Sequence, residues 1–127
     1  MAAVLIDTHV FIWGQLLPDR LTVRAMDAIA RADSVWVSVI SFFEIAQMAR
    51  LGKWPEVSGF VDRLPNLHEA QGGRVAPFDA DICLTAGSLP WRHRDPFDRL
   101  IAATALRRQL MLVRADVAFD DVLTRTW

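Results

Sequence analysis

Short β-branched apolar runs alternate with longer segments of helical periodicity along the whole chain, and this alternation constrains the fold most. "AVLI" (3–6), "SVWVSV" (34–39) and "LMLVRA" (110–115) read as strands, and "GGRVAPF" (72–78) as a turn leading into a strand. "RLTVRAMDAIARAD" (20–33) places Leu21, Ala25, Ala28 and Ile29 at helical spacing. "SFFEIAQMARLG" (41–52) reads as a helix with Ser41 as cap, Glu44 completing a capping box and Gly52 as stop. Residues 56–67 add another helix, Asp79 caps one to about Ser88, and Asp95 starts one to about Gln109. The tail from Phe119 to Trp127 holds a short edge strand, and "PNLHEAQGGR" (65–74) is the most flexible loop. The expected fold is an α/β domain with a mainly parallel central sheet and helices on both faces, one domain over 1–127.

The composition excludes several classes. A hydrophobic fraction of 53% argues against disorder. No apolar stretch approaches the roughly 20 residues of a membrane span, and "MAAVLID" is too short for a signal peptide. Cys83 is the only cysteine, which excludes an internal disulfide and a cysteine-based zinc site; between Ile82 and Leu84 it reads as an inert core thiol. A reducing cytoplasm fits. The net charge of −1 gives no global attraction to nucleic acid, although Arg92, Arg94, Arg99, Arg107, Arg108 and Arg114 crowd one region. They read either as a solvated face or as phosphate ligands.

"HRDPFDRLIAATA" (93–105) carries two aspartates around a Pro-Phe step. Locally it is a helix start: Asp95 suits the N-cap, Pro96 the first helical position, and Asp98 the positive end of the helix dipole. Ligands in open α/β sheets bind beyond the carboxyl ends of the strands. Asp7 follows the first strand, Asp116 follows the last long one, and Glu44 lies one turn into the helix after the second. Asp98 joins them if its helix begins at that end. Two carboxylates ~4 Å apart repel by about 4 kcal/mol at an effective dielectric of about 20, so such a cluster calls for a cation. Oxygen ligands select Mg²⁺ or Mn²⁺, which typically act on phosphates. Each residue also has a plainer reading: Asp7 and Asp116 as turn residues, Glu44 as a capping partner, Asp95 as a cap, His9 as a packed histidine.

"VLIDTHVFIW", "VSVISFFEIAQMARLGKW", "HRDPFDRLIAATAL" and "LVRAD" with Phe119 after it cover nearly the whole chain. In that order they resemble the PIN-domain ribonucleases, and most of all the VapC toxins of type II toxin–antitoxin pairs. The resemblance implies a three-layer α/β/α sandwich and an acidic quartet binding Mg²⁺ or Mn²⁺. It assigns the quartet to Asp7, Glu44, Asp98 and Asp116, with Thr8 as a supporting hydroxyl and Asp95 as an additional cap or outer group. It also implies an RNA substrate, a VapB-like antitoxin and a homodimer; Trp13, Leu16, Leu17 and Trp54, near expected helix ends and loops, read either as ordinary core or, on the resemblance, as part of an antitoxin groove and dimer surface. Relatives often carry threonine or serine two residues before the last aspartate; here Arg114 stands there, a possible phosphate ligand. Two other readings remain open: a phosphohydrolase with Asp7 as nucleophile, and an inactive PIN-like binding module.

Overall fold

The computed structural model describes residues 2–127. Strands β1 (Ala3–Ile6), β2 (Ser34–Ser38), β3 (Arg74–Ala76), β4 (Met111–Val113) and β5 (Arg125–Thr126) form an all-parallel sheet in the order β3-β2-β1-β4-β5. The helices are α1 (Thr8–Leu16), α2 (Val23–Arg31), α3 (Val39–Arg50), α4 (Leu64–Ala70), α5 (Ala80–Ser88) and α6 (Pro96–Arg108). None among the described residues is long and apolar enough to cross a membrane.

Alternation along β1 builds the layers. Val4 and Ile6 pack on one side with Val10, Phe11, Val37, Ile45 and Leu64. Leu5 points the other way, into a cluster with Ile101, Ala102, Leu112 and Phe119. Both faces of β1 are therefore covered, as a parallel strand with a continuous apolar run requires. From β1 the chain steps outward through β2 to β3, then crosses back to β4 and β5. The reversal opens a crevice at the carboxyl ends of β1 and β4, the place where such sheets bind ligands.

The expected strands and the tail strand are present, but four local expectations are corrected. Residues 8–16 form α1, a helix the sequence reading did not assign, started by Asp7, whose Oδ1 accepts the Val10 N–H at 2.8 Å. Val10, Phe11 and Ile12 are consecutive and all buried, so the 3.6-residue period is masked. Helix α3 begins at Val39, capped by Ser38, which takes the Ile40 N–H at 3.2 Å. Ser41 is a buried residue inside that helix, so Glu44 does not close a capping box with it. The expected helix over 56–67 is instead turns, a 3-10 segment (Val61–Arg63) and then α4, which also replaces the first part of the expected flexible loop. Cys83 is exposed, because Ile82 and Ala86 form the buried stripe of α5 and Cys83 points away from it.

The end of α4 shows why that loop is ordered. His68 is buried, its Nε2 bonds to the Arg74 carbonyl at 2.8 Å, and its ring meets Phe11 edge-on at 5.4 Å. Gly73 lies against that ring so closely that a Cβ there would overlap it. Gly73→Ala is therefore expected to displace His68 and cost about 1–3 kcal/mol, read from denaturant unfolding. A change below ~0.5 kcal/mol would contradict this packing.

Candidate active site

Asp7 leaves β1 just after Ile6, which pairs with Val113 of β4, and its N–H donates to the Val113 carbonyl at 3.3 Å. That register sets Asp7 beside Arg114. The Arg114 side chain turns inward among the carboxylates. Its Nη1 lies 2.8 Å from Asp7 Oδ2 and 3.0 Å from Asp98 Oδ1, and its Nη2 lies 3.5 Å from Asp116 Oδ2. One nitrogen thus touches aspartates from β1 and α6, so α6 does begin at this end of the sheet. The guanidinium also lies 4.5 Å from the Phe119 ring centroid, a cation–π contact on its other side.

Burial differs sharply across the cluster. Asp7 and Asp98 are buried, while the Asp116 side chain is 40% exposed. Burial raises the Asp7 pKa to about 6, against the opposing pull of Arg114 and the Val10 N–H. Asp116 is held below the usual carboxylate range, first by the Ala118 N–H, which it accepts at 2.9 Å while capping the turn Val117–Asp121. Glu44 enters from the second turn of α3, half-buried, with its pKa raised by burial; the Thr8 hydroxyl and His9 partly offset the rise. Among the described residues Arg114 meets Asp7, Asp98 and Asp116 but not Glu44. Thr8 is buried, and its hydroxyl lies 2.8 Å from that of Ser41, tying α1 to α3 beneath the cluster. His9 is packed between Trp13 and Trp54, at 5.6 and 5.1 Å between ring centroids, and burial lowers its pKa. A cleft of about 340 Å³ opens here, lined by Asp7, His9, Trp13, Arg114, Ala115 and Asp116.

Asp95 caps α6 by accepting the Phe97 N–H at 2.9 Å. It also lies in a trio with His93 and Asp98 whose potential ligand atoms all fall within 4.8 Å of one another. His93 is the contact that the sequence reading missed: its Nε2 is 2.6 Å from Asp98 Oδ2, the oxygen that Arg114 Nη2 also reaches at 3.5 Å. Its only signal was its place five residues before Asp98. Arg99 anchors the same loop, donating to the carbonyls of Ala86, Leu89, Trp91 and His93 at 2.7–2.9 Å. Much of the arginine crowd is thus committed internally. Arg108 bonds Pro77, Arg107 pairs with Asp81, and Arg92 and Arg94 are exposed. Arg99→Ala strands several carbonyls at once and is expected to cost about 2–4 kcal/mol in urea or thermal unfolding. A loss under ~1 kcal/mol would mean that water replaces the guanidinium freely.

Against known proteins, the PIN domain family model matches residues 4–123. Ribonuclease VapC22 of Mycobacterium tuberculosis is 36% identical over 117 residues, which cover 91% of this chain and 88% of that protein. Among solved structures, a toxin-antitoxin complex from Klebsiella pneumoniae matches with a TM-score of 0.61 at 17% identity, over 94% of this chain and 92% of that one. FitAcB from Neisseria gonorrhoeae matches with a TM-score of 0.60 at 25% identity, over 92% of this chain and 93% of that one. The chain belongs to the PIN domain family.

The donor chemistry fits the divalent metal that PIN nucleases use. The carboxylates offer oxygen alone, and the oxygens of Asp7 and Asp98 already converge on one cationic nitrogen. A cation between them is therefore compatible with the backbone positions.

Proposed function

We propose that the protein is a Mg²⁺- or Mn²⁺-dependent endoribonuclease, the toxin of a toxin–antitoxin pair, acting as a single domain in the cytoplasm where RNA and antitoxin are made. The observation that carries this reading is the convergence of Asp7 and Asp98 on one buried cation position at the β1–β4 crevice. Family membership and the likeness to a protein named as a ribonuclease support the RNA substrate. The likeness to chains solved in toxin–antitoxin assemblies supports a VapB-like antitoxin. A homodimer, as the family resemblance implies, is part of the same reading.

Asp7, Glu44, Asp98 and Asp116 form the catalytic and metal-holding set. When bound, the divalent ion supplies positive charge for the attacking water and the departing oxygen. The chain's own residues set the rest. Asp7 is fixed by the Val10 N–H, so its second oxygen faces the site. His93 holds one Asp98 oxygen, and Asp95 caps the first turn that carries that residue. Glu44, the acid of the set that Arg114 does not engage, takes the proton from water as the water oxygen attacks phosphorus. The P–O bond to the leaving oxygen then breaks, and that oxygen is protonated from solvent.

The phosphohydrolase reading is disfavoured by the match to the PIN domain family and the likeness to a protein named as a ribonuclease. An inactive module has no specific observation in its favour. Asp7→Asn tests the assignment: RNA cleavage should be lost while circular dichroism stays unchanged. Full cleavage by a folded Asp7→Asn protein would overturn it.

A further inference from the structure

We propose that Arg114 is a tethered cation that occupies the metal position, so that a divalent ion binds only by displacing its guanidinium. This rests on the metal-dependent reading of the site. Three observations carry it. First, Nη1 sits 2.8 and 3.0 Å from Asp7 and Asp98, the two most buried acids of the cluster, and so fills the space between two carboxylates that would hold an ion. Second, the side chain is only 12% exposed, so this is not a surface ion pair that solvent screens. Third, the two terminal nitrogens of Arg114 reach three carboxylates, Asp7, Asp98 and Asp116, so the charge is placed at the centre of the acidic cluster rather than paired with one acid.

The consequence is competition. One guanidinium charge partly compensates Asp7 and Asp98 without metal, so an incoming ion gains less than it would in an empty acidic cage, and it must also release the arginine. The Phe119 ring, 4.5 Å from the guanidinium carbon, helps hold the arginine inward. Arg114 therefore sets the metal concentration at which the site loads.

The test is Mn²⁺ binding by calorimetry to the full chain, with melting temperature read alongside. Arg114→Thr and the near-isosteric Arg114→Gln should bind Mn²⁺ at least about tenfold more tightly than wild type. Their metal-free melting temperatures should fall, and Mn²⁺ should raise them by more than it raises the wild type. Arg114→Lys keeps a tethered charge and should stay within about threefold of wild-type affinity. Equal Mn²⁺ affinity in wild type, Arg114→Thr and Arg114→Gln overturns the inference and leaves the metal site standing. So does Arg114→Lys binding as tightly as Arg114→Thr. Failure of every protein to bind Mn²⁺ overturns the inference and the metal-dependent reading together. If the neutral variants do not fold, a Mn²⁺-loaded wild-type crystal decides. Arg114 withdrawn from Asp7 and Asp98 supports the displacement, and Arg114 still within hydrogen-bond distance of both, with Mn²⁺ bound to them, refutes it.

Discussion

Asp98→Asn should lower RNA cleavage by at least about 100-fold, whereas Asp95→Asn should retain most of it. The two residues stand three positions apart on the first turn of α6 but face different surroundings. Asp98 is buried between Arg114 at 3.0 Å and His93 at 2.6 Å. Asp95 accepts the Phe97 N–H, a bond that an asparagine oxygen can replace. Asp95→Ala loses that bond and should cost about 1 kcal/mol of stability, again with cleavage largely kept. Single-turnover cleavage and melting curves on the three variants separate the roles. Equal loss in Asp95→Asn and Asp98→Asn would place Asp95 among the direct metal ligands, with His93 as its neighbour in the trio.

Metal-free protein should lose stability as pH rises through the Asp7 titration. Its pKa is raised from 3.8 to about 6 by burial, so the folded state holds the Asp7 proton more tightly than the unfolded chain does. That contribution is full below pH ~4, declines between about 4 and 6, and is absent above. A shift of this size corresponds to about 3 kcal/mol. Glu44 is raised as well and acts in the same direction; Asp116 is lowered, so its contribution is present at higher pH and fades as pH falls. The stability difference between wild type and Asp7→Asn isolates the Asp7 contribution: the variant should gain on wild type from about pH 4 to about pH 7. A difference independent of pH across that range would mean that Arg114 fully offsets the burial of Asp7.

The strands were legible because β-branched runs ending in polar residues leave few alternatives to a parallel sheet. With β1 and β4 in place, Asp7 and Asp116 had to emerge at the same end, and this much of the site followed from topology. Asp98 was harder. Its helix starts after a loop, and only the packing of that loop brings it over β4. The packing depends on Arg99, whose four carbonyl partners are spread from Ala86 to His93 and carry no local pattern. His93 was invisible for the same reason. Helix α1 was missed because its consecutive buried residues hide helical periodicity, and Ser41 was misplaced as a cap because Ser38, three residues earlier, offers the same chemistry at the strand end. The inward turn of Arg114 into the acids is a property of the tertiary structure alone.

Cleavage of RNA by purified protein, stripped with chelator and then resupplied with Mg²⁺ or Mn²⁺, tests the central claim most directly. No cleavage is expected in chelator, and recovery is expected on addition of either ion. Undiminished cleavage in chelator would contradict a carboxylate-held metal as the centre of this site.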